Sequence, residues 1–192
     1  MRRPFSRLEA SVYERFVAGA VVEVVTPVLR SAIGDARRVL DVGCGGGGIA
    51  HRLGAIGVDA SIAMATRARG LAAAAHALPF RNDSFDAVVS SCSIKHWANP
   101  LHGIGECTRV LRPGGVLAVV EMDRDASLRD VNRFARRTRV PRVLRWLYAE
   151  LDKAVVLPTA PDAAELEAWV GRGASSSTKL DGLPFRIVVH HP

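Results

Sequence analysis

An α/β fold built on a mostly parallel sheet is predicted by three features of the sequence. Apolar runs of strand length alternate with amphipathic stretches between residues 38 and 122. That is the pattern of a sheet covered on both faces by crossover helices. A glycine cluster, Gly43-Cys44-Gly45-Gly46-Gly47-Gly48, follows the first run without a gap. Near the C-terminus two short runs, 176–180 and 185–190, are separated by Asp-Gly-Leu-Pro, which predicts an antiparallel hairpin. The sum is a seven-stranded sheet with helices on both faces and a closing hairpin.

Each element has its own signal. Residues 7–33 read as helix, broken near Thr26-Pro27, because proline lacks an N–H and collides with the preceding turn. Arg38 to Val42 has the length and apolarity of a buried strand. Gly48 to Leu53 suffices for about two helical turns, and Ala55 to Val58 makes a short second strand. Ser61 is an N-cap for a helix reaching about Arg69. A weak strand over 71–75 and a strong one over 87–92 follow. Asn99 to Leu111 is amphipathic helix, stopped by Pro113-Gly114-Gly115, and Val116 to Met122 is another buried strand. Residues 127–157 read as arginine-rich helix and 162–172 as one more amphipathic helix.

Composition narrows the class. With 192 residues and 48% hydrophobic content the chain folds around a sizeable core. No apolar stretch reaches the ~18 residues of a membrane span. The best candidate, 17–25, is too short and contains Glu23, and the first sixteen residues lack a signal-peptide core. A cytoplasmic location is expected. Cys44, Cys92 and Cys107 show neither disulfide nor metal-ligand spacing, so reduced thiols and no metal are expected. The net charge of +7 comes from 23 arginines but only three lysines, beside abundant alanine and glycine. That looks like coding bias of a GC-rich genome, so the basicity does not by itself indicate nucleic acid.

The informative stretch runs from Val39 to Ser61. Asp41 stands just before the glycines and Asp59 ends the second strand, which puts two carboxylates on one rim of the sheet. A carboxylate at Asp59 suits a ribose diol. A dinucleotide pyrophosphate would sit at the following helix N-terminus, where Asp41 is a liability. Asp41 suits a ligand with a positive amino group. S-Adenosyl-L-methionine (SAM) has an ammonium, a sulfonium and a ribose diol, so one acid serves each end.

These residues resemble motif I and the following acidic motif of the class I SAM-dependent methyltransferases. Three later segments extend the resemblance in order: Ala77-Leu-Pro-Phe through Ser91, Ser93-Ile-Lys-His-Trp-Ala-Asn-Pro100, and Arg109-Val-Leu-Arg-Pro-Gly-Gly115. They cover about residues 38–122 and are closest to the subgroup with quinone C-methyltransferases and many small-molecule enzymes. The resemblance implies a Rossmann-like class I methyltransferase fold as a single domain over 1–192. It would comprise an N-terminal helical cap (1–36), a SAM-binding core (37–123), a helical lid region (124–172) and a closing hairpin (173–192). It implies that Asp41 with Gly43, Cys44 and Gly45 holds the methionine end, and that Asp59 binds the ribose with Ala60 beside the adenine. Ala74, Ala75 and His76 would form the adenine edge, and Ser91 would line the floor. The sequence departs from the family at Ala74, where Asp or Asn is usual, and in the short interval from Gly48 to Asp59.

Methyl transfer needs alignment more than a fixed catalytic group. His96, at the end of the fourth strand, is the candidate base because imidazole titrates near neutrality. A hydrogen bond that shapes the loop is its other role. Lys95 is expected to be a solvated neighbour and Trp97 to be packing or a substrate wall. Glu121 and Asp123 end the fifth strand where they could orient a substrate. Seven arginines, 129, 133, 136, 137, 139, 142 and 145, fall within 17 residues, the first four near one helical face. They face solvent, or an anionic substrate or membrane surface with a lipid-like substrate. The expected acceptor is a small molecule, anionic or lipid-like. Nucleic acid is not favoured, since no RNA-binding module is visible. The rival functions are an NAD-type oxidoreductase, an RNA methyltransferase and a non-catalytic SAM-fold protein.

Overall fold

The computed structural model describes residues 13, 15–171 and 175–192. Among them the elements run α1 (Ala18–Ile33), β1 (Val39–Val42), α2 (Gly48–Leu53), β2 (Ile56–Asp59), α3 (Ile62–Ala68), β3 (Leu71–Ala72), β4 (Phe85–Ser91), α4 (Pro100–Val110) and β5 (Leu111–Met122). Then follow α5 (Leu128–Ala135), α6 (Arg145–Leu151), α7 (Ala163–Val170), β6 (Ser175–Lys179) and β7 (Phe185–His190). The seven strands lie in the order β3-β2-β1-β4-β5-β7-β6. All neighbours are parallel except β5·β7 and β7·β6.

Alternation along the strands divides the core in two. Val39, Val89, Ala118 and Val120 face one side, where Val25, Leu29 and Ile33 of α1 and Phe134 of α5 close over them. Leu40, Val42, Val88, Leu117 and Val119 face the other, under Ile104 and Val110 of α4 and Leu166 and Val170 of α7. Both faces are dry, which is why these strands read as continuous apolar runs.

Four expectations are corrected. The first helix does not break at Thr26-Pro27: α1 runs through Pro27 to Ile33, and the Thr26 hydroxyl donates to Val22 O at 2.6 Å. An interior proline costs about 3 kcal/mol, and α1 tolerates it because Val21, Val24, Val25, Leu29 and Ile33 are all buried. The start of that predicted helix, residues 7–12 and 14, lies outside the described residues. The strand expected at Val116 begins at Leu111, with a register shift between Phe85 and Ala87 that accommodates Pro113-Gly114-Gly115. The weak third strand is two residues long. The helix expected over 127–157 is broken. Its first part, α5, has a Ser127–Asp130 capping box and stops at Ala135. After Pro141 come a 3₁₀ turn (Arg142–Leu144), α6, a π-turn (Asp152–Val156) and a second 3₁₀ turn (Leu157–Thr159). The arginines therefore do not share one continuous helical face.

Candidate active site

The carboxyl ends of β1, β2, β4 and β5 form one rim, and in an open parallel sheet a ligand binds beyond it. The register sets Asp41 between Gly57 and Val89, and Ser91 beside Val120. The loop leaving β1 is tied down by its own backbone. Gly43 and Cys44 N–H both donate to Val58 O, at 2.8 and 3.0 Å, and Gly47 N–H donates to Cys44 O at 2.9 Å. Gly45 N–H donates to Asp59 Oδ2 at 2.9 Å, and Ser61 N–H to Asp59 Oδ1 at 2.8 Å.

These bonds decide what the loop can hold. A phosphate site needs backbone N–H groups aimed at the ligand. Here the donors of Gly43, Cys44 and Gly45 are used within the chain. The rim is left rich in acceptors, namely carbonyl oxygens and the carboxylates of Asp41 and Asp59. Asp41 is 2% exposed and its Oδ2 has no hydrogen-bond partner. Burial raises its pKa to about 7, opposed by the Ala50 N–H against it and reinforced by the charge of Asp59. A buried carboxyl with an orphaned oxygen fits an ammonium group, and Asp59, which has spare lone pairs, fits a diol. The donor set thus fits SAM better than a dinucleotide pyrophosphate.

The glycines serve the chain as much as a ligand. Gly43 has φ 76°, and a Cβ there would run into Ser93 Oγ. The space beside it belongs to Ser93, whose hydroxyl accepts from Trp97 Nε1 at 2.8 Å. Trp97 in turn lays its ring against Gly103 of α4, so it is a packing residue. Cys44 is tucked against Gly57, and burial together with Asp41 and Asp59 pushes its thiol up to about 12.

The remaining predicted positions lie around the same rim. Ala60 is exposed just beyond Asp59. Ala74 is half-buried, Ala75 is buried in the core beside Gly103, and His76 is exposed with its ring 6.0 Å from that of His102. The loop after them is fixed by Glu106, which accepts from Leu78 N–H at 2.9 Å and from Arg109, while Arg109 also donates to the Phe80 and Leu78 carbonyls. Half-buried Ser91 ends β4, and His96 is exposed on the following 3₁₀ turn, Ile94–His96.

Lys95 is the correction here. It is not solvated: it is 8% exposed and its Nζ lies 3.7 Å from Glu121 Oε2, itself fully buried on β5. Cys92, at φ 51°, turns the chain after β4. Asp152 of the π-turn is buried nearby with Oδ2 unpartnered, and burial raises its carboxyl to about 6 against the pull of Lys95. Burial lowers the Lys95 ammonium, but Glu121, Cys92 and Asp152 outweigh it and hold Lys95 above the ordinary lysine value. Asp123, by contrast, is held by Arg186 at 3.1 Å and by the Asp125 N–H at 3.0 Å. Lys95 carried one faint sequence signal, as one of three lysines in an arginine-rich chain. Asp152 carried none.

A profile of the methyltransferase domain family matches residues 40–119. Over these residues the chain is similar to methyltransferase domains. SAM is the methyl donor that such a domain implies. An uncharacterized methyltransferase of Mycobacterium tuberculosis is 34% identical over 128 residues, covering 60% of this chain and 51% of that protein. The ubiquinone biosynthesis O-methyltransferase of Agrobacterium fabrum is 33% identical over 126 residues, covering 57% and 49%. The chain spans about half the length of the curated relatives it matches. A SAM-dependent methyltransferase of Thermotoga maritima superposes with a TM-score of 0.69 at 20% identity, covering 93% of this chain and 94% of that one, and so shares the fold. Among the described residues no helix is long and apolar enough to cross a membrane.

Proposed function

We propose that this methyltransferase-domain protein transfers the methyl group of SAM to a small-molecule acceptor and releases S-adenosylhomocysteine. The observation that carries this is the acceptor-rich rim: backbone donors used internally, Asp41 buried with an unpartnered oxygen, and Asp59 at the end of β2. Bound SAM supplies an electrophilic methyl carbon, whose bond to the sulfonium passes to sulfur as the acceptor takes the methyl. Asp41 accepts the ammonium beside the Gly43–Gly45 loop. Asp59 keeps that loop in place through Gly45 and uses its remaining lone pairs for the ribose hydroxyls. Ala60, Ala74 and His76 flank the adenine, and Ser91 floors the methionine end. His96 takes the proton from an acceptor that carries one. A lipid-like acceptor is supported by the ubiquinone relative and by the apolar residues exposed on the lid.

Calorimetric titration with SAM, S-adenosylhomocysteine and NADH, with Asp59→Ala beside the natural chain, tests this. Micromolar binding of the first two, weakened about 10- to 100-fold in the folded variant, is expected. Binding of NADH alone would move the assignment to a dinucleotide enzyme. A folded chain that binds none of the three would be a non-catalytic member of the fold.

A further inference from the structure

We propose that the segment from Arg129 to Val155 is a docking surface for an anionic lipid bilayer. The segment has two kinds of exposed residue. Arg129, Arg133, Arg136, Arg137, Arg139 and Arg142 are all exposed, and among the described residues none of them pairs with a carboxylate. Directly after them the chain exposes Val143 (77%), Leu144, Trp146 (65%), Leu147, Leu151 and Val155. These are six of the ten large apolar side chains most exposed on the described surface, gathered within 13 residues.

Helical geometry explains why they are out. On α6 and the π-turn, Ala149 and Asp152 point inward, three residues apart, toward the rim. Leu147, Leu151 and Val155 then recur every four residues on the outer face, with Leu144 in line before them. The helix is apolar on the side that no part of the described chain covers. An apolar stripe bordered by unpaired arginines, with a tryptophan among its side chains, is complementary to the headgroup region of a negatively charged membrane. Arginines meet phosphate there, aliphatic side chains enter the acyl boundary, and the indole sits between. A nucleic acid would satisfy the arginines but leave Val143, Leu147, Leu151 and Val155 in water. The same helix roofs the rim with its inner face, so a membrane on the outer face would lie one helix diameter from the site. The surface assignment does not rest on methyl transfer, because its test uses neither SAM nor turnover.

The test is flotation of the purified chain with vesicles of phosphatidylcholine, alone or with about a third phosphatidylglycerol. Trp146 fluorescence is isolated by comparison with Trp146→Phe. Binding to the anionic vesicles only is expected, with a blue shift that Trp146→Phe removes. Arg136→Gln/Arg137→Gln should weaken binding about 25-fold, at about fivefold per arginine. Val143→Ser/Leu147→Ser should weaken it about 10-fold or more. Circular dichroism confirms that these surface variants are folded. No binding to anionic vesicles at low salt overturns the proposal. So does binding that ignores the apolar variants and is matched by single-stranded RNA, which would make the surface a polyanion site. So does a concentration-dependent dimer that the Val143/Leu147 variant dissolves without changing vesicle binding.

Discussion

Two buried carboxylates, Asp41 on β1 and Asp152 on the π-turn, are held in different ways. Asp41 lies between neighbouring strands, with the first turn of α2 against it, and the hydrogen bonds that hold the glycine loop reach no further along the chain than Asp59, although Ser93 packs against Gly43. Asp152 feels the charge of Lys95, which in turn pairs with Glu121, and the three are separated by dozens of residues along the chain. The first arrangement is made mainly by hydrogen bonds among β1, its loop and the end of β2. The second exists only when β4, β5 and the π-turn have all docked. The glycine loop beside Asp41 is thus tied mainly to nearby chain, while the cluster around Lys95 is an assembly of distant segments.

The comparison can be broken most sharply at Lys95. Lys95→Met leaves Glu121 buried without its ammonium, and removing one partner of a buried ion pair costs about 3–5 kcal/mol. Urea unfolding should show that loss, while Asp152→Asn, which removes a carboxylate that burial already disfavours, should be neutral or slightly stabilising at pH 8. A loss below about 1 kcal/mol in Lys95→Met would mean that the cluster is wetter than its burial suggests.

The next effect is on pH. Asp41 is raised from 3.8 to about 7 and Asp152 from 3.8 to about 6. Below 3.8 the folded and unfolded chains both hold these protons. As pH rises, the unfolded chain ionises first, so stability from these two groups falls progressively and the loss is complete above about 7. For Asp41 it is on the order of 4 kcal/mol. Asp86, Glu106 and Asp130 are shifted down and act in the opposite sense only at lower pH. Unfolding free energy should therefore decline between about pH 5 and 7, and Asp41→Asn should flatten the curve more than Asp152→Asn does. An unchanged slope in Asp41→Asn would remove Asp41 as the cause.

The smallest effect belongs to the glycine loop. Gly43→Ala places a side chain at φ 76° and against Ser93, which costs roughly 1–3 kcal/mol. The double change Gly43→Ala/Ser93→Gly should recover only the collision, leaving the backbone term. Full recovery would show that the left-handed conformation is cheap at this turn.

The same contrast explains what was legible. Alternating runs, the Ser61 cap and the glycine turn are local signals, and each appears where its residues stand. Asp41 and Asp59 were legible because their positions at strand ends fix which rim they occupy. Pro27 misled because local propensity favoured a break, while the burial that overrides it depends on strands the helix has yet to meet. Lys95 and Asp152 were illegible for a similar reason. A lysine after an isoleucine reads as surface until its tertiary partners are known. The arginine segment was legible in charge but not in shape, since the stop at Ala135 and the π-turn after Leu151 arise from packing against the rim.

The strand order has a consequence for how the chain is made. β7 is the last strand in sequence, yet it lies between β5 and β6, pairing Leu117 with His190 and Met122 with Phe185. Until it arrives, the edge of β5 presents a row of unpaired backbone groups, including those of the apolar Val119 and Val120. Helices α5, α6 and α7 are synthesised during that interval. A nascent chain thus carries an open, aggregation-prone strand edge through more than sixty residues of translation. Closing it requires a contact of high sequence separation, which makes the final step slow.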